Sequence, residues 1–147
     1  MIRTFQLLLV LLGATLSLAS RAASTDGSER FGDYLIHANA LPTMALGADM
    51  ARKYSIQRSE GRGMLNVSVE KVSADGSTSA VAASITGVAI NLTGHRSPIE
   101  IREIPGEYVS YVGLFEISAP DTYTFSLSVK PAGSDRAYDV RFNHGFD

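Results

Sequence analysis

Apolar and polar side chains alternate with a period of two over much of this 147-residue chain, and this pattern limits the fold more than any other feature. The segment YTFSLSVK, residues 123–130, is the clearest case, because its odd-numbered positions are apolar and its even-numbered positions are Thr, Ser or Lys. Successive side chains of a β-strand point to opposite faces. The pattern therefore predicts a strand with one buried and one solvated face, as in an antiparallel sheet.

Six further segments have strand-like patterns, and short turns rich in Gly, Pro, Asp and Ser separate most of them. In chain order the seven segments are RFGDYLIHANAL, MLNVSVEKV, SAVAASITGVAINL, IEIREI, YVSYVGLFEI, YTFSLSVK and AYDVRF. Short strands at regular spacing predict an all-β fold, an immunoglobulin-like antiparallel β-sandwich of about seven strands. A small closed barrel is the alternative. The chain has no Cys and no Trp, so the Cys–Trp–Cys signature of true immunoglobulin domains is absent.

One segment, LGADMARKYSI, has a helical pattern instead. Leu46, Met50 and Tyr54 follow one another at intervals of four and share one face of a helix. Such a short helix is marginal in water, so we expect this apolar stripe to hold it against the sheet. Within the strand-like segments, Gly87 interrupts a β-branched run and indicates a bulge or a close approach of another backbone.

The first 22 residues have the order of a secretory signal peptide. A short basic start precedes an apolar stretch over residues 7–19, and Ser20 and Ala22 supply the small residues of a cleavage site. A membrane anchor is the alternative, but a helix over this stretch would reach only roughly 20 Å across a hydrocarbon core of about 30 Å. We therefore expect residues 1–22 to be removed, residues 23–30 to form a flexible lead-in, and residues 31–147 to form one domain.

The composition limits the cellular compartments and the classes of binding partner that fit this chain. Loss of Arg3 and Arg21 with the signal leaves 11 basic against 15 acidic residues, which moves the net charge from −2 to −4. A mildly acidic domain argues against nucleic acid or an anionic membrane surface as the partner. Without cysteine there are no disulfides and no thiolate-bound zinc. An exported chain without disulfides is typical of a bacterial periplasm, and no membrane insertion is expected after cleavage.

The segment RSEGRG, residues 58–63, has the residue types of an anion-binding loop but the wrong order of elements. A phosphate-binding loop lies between a strand and a helix and carries a lysine, whereas this segment follows the predicted helix and precedes a strand. Arg58 and Arg62 could still bind a carboxylate or phosphate. The alternative is a turn in which Gly61 or Gly63 takes a positive φ and the arginines pair with acids on neighbouring strands.

No motif indicates an enzyme or a cofactor. The three histidines, His37, His95 and His144, are far apart in the sequence and form no metal-binding pair. There is no G-x-S-x-G or S-x-x-K motif for a nucleophilic serine. We therefore expect a protein that is not an enzyme and that has no cofactor and no metal.

Several segments together resemble the DUF4426 family, a bacterial exported family of unknown function. The N-terminal part of the resemblance consists of Gly32-Asp33-Tyr34, His37, the segment over residues 51–59 and the strand over residues 66–69. The C-terminal part consists of IREI, GLFEIS, YTFSLSVKP and VRFNHGF. The chain departs from the family pattern at two places. Ala38 stands where an aromatic residue is expected, and LPTMALGAD before the helix replaces a bulkier stretch that is rich in acidic residues. The resemblance implies a β-sandwich and a periplasmic location, and it brings no assigned activity.

These observations favour a non-enzymatic periplasmic accessory or binding module for a protein or peptide partner. An exposed sheet edge that accepts an added strand is a natural route for such binding. The alternative is a carrier or sensor of a small anionic ligand near Arg58 and Arg62. The candidate binding surface consists of Arg58, Arg62, His37 and Tyr54.

Overall fold

A computed structural model describes residues 27–106 and 108–147, and the predicted signal peptide lies outside this range. The strands, in chain order, are β1 (Glu29–Phe31), β2 (Tyr34–Pro42), β3 (Arg62–Val72), β4 (Thr78–Ala80), β5 (Ala83–Asn91), β6 (Arg96–Ile104), β7 (Ser110–Glu116), β8 (Asp121–Pro131) and β9 (Tyr138–Phe146). A 3-10 turn (Thr43–Ala45) and one short helix, α1 (Ala48–Lys53), lie between β2 and β3. In the described part of the chain, no helix is long and apolar enough to span a membrane.

The strands form one antiparallel sheet with the order β1-β2-β3-β7-β6-β5-β8-β9, and β4 pairs with β3. Strand β6 joins the two halves of this sheet. Its first part, residues 96–99, pairs with β5, and its second part, residues 100–104, pairs with β7. Strand β6 therefore changes its partner strand between Ile99 and Glu100 and belongs to both halves of the sheet.

The two ends of the sheet come together through side chains, so the fold is nearly barrel-shaped. The rings of Phe31 on β1 and Tyr138 on β9 stack with their centroids 4.8 Å apart. Further along, the ring of Phe142 lies against Gly27, whose added Cβ would come within 2.6 Å of it. The inward side chains of all the long strands meet in one main apolar core.

The sequence pattern predicted the all-β antiparallel fold correctly but gave too few strands. Each of the seven predicted segments overlaps one of the seven longer strands. The two others, β1 and β4, are three residues each, too short for an alternating pattern to be visible. The sheet accordingly begins at Glu29, inside the segment predicted as a lead-in.

The predicted helix is shorter than expected, and its apolar stripe is only partly buried. Helix α1 spans six residues, and Ser55 follows with a φ of 53°, a left-handed conformation that stops helix continuation. Because the chain turns there, Ile56 becomes buried, while Met50 stays 45% exposed. Ile56 packs with Met64, Ile104 and Val112 in a second, smaller cluster on the outer face of the sheet.

Gly87 is explained by close approach, although the approaching atoms are side chains. A Cβ at this position would lie 2.8 Å from Cδ2 of Leu127 and 3.3 Å from Cδ1 of Ile101. The absence of a side chain therefore makes room for core residues of β8 and β6.

Candidate functional site

His37 lies on the outer face of β2 and belongs to a short polar chain. Its Nδ1 is hydrogen-bonded to Oγ of Ser28 at 3.1 Å, and its Nε2 lies 3.4 Å from Oε2 of Glu70. The side chains of His37 and Glu70 are 43% and 34% exposed, so water reaches both of them. This chain links Ser28, just before β1, to β2 and β3 on a surface that is open to water.

Arg58 and the RSEGRG turn are bound to the 3-10 turn that follows β2. The guanidinium of Arg58 donates a hydrogen bond to the carbonyl of Met44 at 3.0 Å. The buried hydroxyl of Thr43 donates to the carbonyl of Ser59 at 3.0 Å and accepts from its N–H at 2.9 Å. The turn is thus fixed by one fully buried side chain, and Arg58 already has a backbone partner.

Replacing Thr43 by valine should therefore lower the free energy of unfolding by about 1–2 kcal/mol, because the Ser59 N–H loses its acceptor and the Ser59 carbonyl loses one of its two donors, keeping the Arg62 N–H. Urea unfolding would measure the change. Thr93→Val is the matched control, since Thr93 is exposed and its hydroxyl donates to the Asn91 side chain and not to the backbone. Equal midpoint shifts for the two variants would contradict this role for Thr43.

Arg62 begins β3, where it stands opposite Glu116 of β7 in the strand register. The positive φ proposed for Gly61 or Gly63 is wrong, because the described glycines with positive φ are Gly32, Gly76, Gly94 and Gly133. Gly63 is required for space instead, since a Cβ there would lie 2.5 Å from the Phe115 ring.

Tyr54 takes part in a groove between the helical segment and the outer face of the sheet, here called the outer groove. The outer groove has a volume of 340 Å³. Its apolar lining consists of Leu41, Leu46, Met50, Tyr54, Met64, Ile104 and Val112, and its polar lining of Asn39, Asn66 and Ser110. Of the four residues of the predicted binding surface, only Tyr54 lines it.

The strand register explains why these residues converge. Leu41 of β2 pairs with Met64 of β3, and Met64 pairs with Leu114 of β7, which gives one apolar row across three strands. The next row contains Asn39, Asn66 and Val112. Helix α1 and its flanking residues cover part of these rows and leave the groove open beside them.

The two asparagines form a donor–acceptor pair at the edge of the outer groove. Nδ2 of Asn66 donates to Oδ1 of Asn39 at 3.4 Å. Within residues 27–106 and 108–147, the remaining polar atoms, Nδ2 of Asn39 and Oδ1 of Asn66, have no protein partner. One free donor and one free acceptor are the groups that a peptide backbone can bind.

Two basic side chains lie at the Tyr54 end of the outer groove. Nζ of Lys53 is 5.4 Å from the centroid of the Tyr54 ring, and the guanidinium of Arg102 donates a hydrogen bond to the Tyr54 carbonyl. These contacts place two positive charges next to an apolar surface.

A second concave site, here called the end cavity, opens beside the RSEGRG turn. It has a volume of 540 Å³ and is lined by Pro42, Met44, Glu60, Ile117, Ala119, Gly145, Phe146 and Asp147. The turn contributes Glu60 to this lining, whereas neither Arg58 nor Arg62 is part of it. Next to it, partial burial lowers the pKa of His144, and nearby Asp147 opposes that shift.

Residues 27–106 and 108–147 contain no group of three or more His, Asp or Glu side chains that could hold a metal ion.

One sequence feature relates to the outer groove, and it is a departure from strict alternation. The segment YVSYVGLFEI has apolar residues at both odd and even positions, a pattern typical of a strand that is buried on both faces in part. In β7, Tyr111 and Val112 are indeed both buried, one in the main core and one under the helical segment. The asparagines gave no such signal, because outward polar residues are ordinary in a strand.

These features define an all-β antiparallel protein with the outer groove on a helix-covered outer face and the end cavity beside the RSEGRG turn. Residues 28–147 match the model of the domain of unknown function DUF4426, so the chain belongs to the DUF4426 family. The crystal structure of a DUF4426 family protein from Pseudomonas aeruginosa PAO1 is similar, with 28% sequence identity and a TM-score of 0.69. That similarity covers 83% of this chain and 94% of the other. No curated protein matches this chain.

Proposed function

We propose that this protein is a non-enzymatic binding module of the bacterial periplasm, and that its outer groove binds a protein or peptide partner. In this proposal the sheet halves on either side of β6 act as the layers of an immunoglobulin-like sandwich, and the groove lies on the outside of one layer. The observation that carries the proposal is the apolar groove with the free amide donor and acceptor of Asn39 and Asn66 at its edge.

The size and lining of the outer groove favour a peptide side chain as its occupant. Small-molecule pockets usually measure about 300–1,000 Å³, and they combine apolar walls with a few polar groups that fix orientation. At 340 Å³, the outer groove suits one or two apolar side chains. The asparagine amides would then bind the peptide backbone next to that anchor.

The charges beside the outer groove favour an acidic partner. Lys53 and Arg102 lie at its Tyr54 end, so a carboxylate that follows the apolar anchor would meet positive charge there. Such rim charges increase the association rate and the specificity more than the affinity. The proposed partner is therefore a peptide segment with an apolar anchor flanked by Asp or Glu.

The N-terminal sequence supports the periplasmic location through its apolar stretch and small-residue cleavage site. The open surroundings of the Ser28–His37–Glu70 chain support a role without catalysis. A histidine that activates a serine normally lies in a cleft that excludes water and is aligned by a carboxylate on the far nitrogen. Glu70 takes the carboxylate position here, but His37 and Glu70 are both open to water.

Peptide selection against the purified protein would test the proposal. Random peptides displayed on phage should yield a consensus with an apolar anchor and flanking acids. For a selected peptide, Met50→Lys should raise the Kd at least about tenfold, or about 1.4 kcal/mol, because it puts a charge into the apolar lining. Fluorescence anisotropy of the labelled peptide would measure the Kd for the unaltered protein and for the variant.

Met44→Lys is the matched control, because Met44 and Met50 are both 45% exposed but line different sites. It should leave peptide binding unchanged. Peptides that bind Met50→Lys as tightly as the unaltered protein, or a consensus without an acidic flank, would count against this partner.

A further inference from the structure

We infer that the end cavity is a second binding site, for a small organic cation with an apolar body such as an alkylammonium ion. This site uses other residues than the outer groove and does not depend on the proposed peptide binding. Its ligand has the opposite charge to the anion expected from Arg58 and Arg62.

Four separate segments build the end cavity. Met44 comes from the 3-10 turn, Glu60 from the RSEGRG turn, Ile117 from the segment after β7, and Phe146 from the end of β9. Ile117 and Phe146 are 7% and 3% exposed, so the apolar part of the wall belongs to the main core. An alkyl or aryl body of a ligand would bind against this part.

The walls are held in place by contacts that need no ligand. The N–H of Ile117 donates to the carbonyl of Gly61 at 3.0 Å, which joins the wall after β7 to the RSEGRG turn. Phe146 packs edge-on against Phe115 and Tyr123, with ring centroids 5.9 and 5.6 Å away. The cavity is therefore formed in advance, which reduces the entropic cost of binding.

The charge of the lining selects the class of ligand. Glu60 and Asp147 are its ionisable side chains, and both are acidic. Two basic residues lie next to the wall without being part of the lining. The His144 ring meets that of Phe146 edge-on, with the centroids 4.7 Å apart, and the Arg58 guanidinium is hydrogen-bonded to the backbone of Met44. Because an ammonium group can bind at the carboxylates while its apolar body lies against Ile117 and Phe146, a cation with an apolar body fits both parts of the cavity.

Titration of the ¹⁵N-labelled protein with hexylammonium, followed by NMR, tests this site. Saturable shifts are expected at the amides of Ile117, Ala119 and Gly145, while hexanoate and hexanol should cause at most weak shifts there. The variant Glu60→Gln/Asp147→Asn should raise the Kd at least about tenfold, and Met44→Lys should do the same by placing a positive charge in the wall.

Three controls make the outcome specific. Glu116→Gln removes an exposed acid that is not part of the lining, and Met50→Lys alters the outer groove, so both should leave the Kd for hexylammonium unchanged. Arg58→Gln should leave it unchanged or lower it. Equal binding of hexanoate, no saturable shift, or full binding by the Glu60→Gln/Asp147→Asn variant would overturn the inference, whatever happens at the outer groove.

Discussion

Replacing Phe125 by alanine should lower the free energy of unfolding by about 3–5 kcal/mol, the cost usual for removing a buried aromatic ring. Phe125 is fully buried, and its ring stacks on Phe142 with the centroids 4.9 Å apart. It also meets Phe115 edge-on at 5.0 Å. These three rings come from β8, β9 and β7, so the loss removes contacts between both halves of the sheet.

For a domain of this size the loss corresponds to a fall in Tm of roughly 10–20 °C. Differential scanning calorimetry and urea unfolding would measure it. Tyr108→Ala is the control, because Tyr108 is also aromatic but 72% exposed, and it should change stability by less than about 0.5 kcal/mol. Similar losses in the two variants would mean that the aromatic cluster is not the centre of the core.

The positions of these rings could be predicted from the sequence, because strand periodicity depends only on local geometry. The inward residues assigned to β8, from Tyr123 to Val129, are all buried. In β9, the alternating apolar residues Val140 and Phe142 of the segment AYDVRF are buried, while Tyr138 is half-buried at the sheet end. A pattern of period two requires only that one face be covered, and the core covers it.

The outer groove could not be predicted in the same way, because it depends on which strands become neighbours. Asn39 and Asn66 are 27 residues apart, and only the β2–β3 register brings their amides together. Val112 reaches the same row because β7 returns to pair with β3 across a long connection. Sequence periodicity contains no information about such non-local pairing.

The RSEGRG segment shows the same limit at the scale of one turn. Its composition suggested positive charge at a binding site, yet the structure gives Arg58 a backbone partner and turns Glu60 towards the end cavity. The predicted order of elements is confirmed, since α1 precedes the turn and β3 follows it. The turn is held at Ser59 by Thr43, which lies outside the segment.

Replacing Gly113 by alanine should lower the free energy of unfolding by about 2–3 kcal/mol, near the upper end of the usual cost of overpacking. Gly113 of β7 pairs with Ile101 just after β6 changes its partner strand. An added Cβ would lie 2.3 Å from Cγ2 of Ile99 and 3.1 Å from Cγ1 of Ile101. Alanine restricts the unfolded chain and gains about 0.4–1 kcal/mol, which is too little to offset this clash.

A double-variant cycle would identify the cause of the loss. Ile99→Leu removes the branch at Cβ that carries the clashing Cγ2, so Gly113→Ala should cost less in that background than in the unaltered protein. Gly61→Ala is the control for glycine replacement, because the nearest atom to its added Cβ is 3.9 Å away. Additive losses for Gly113→Ala and Ile99→Leu would show that the strand change at β6 does not depend on this contact. A coupled result would mean that glycine in β7 makes room for the strand that joins the two halves of the sheet.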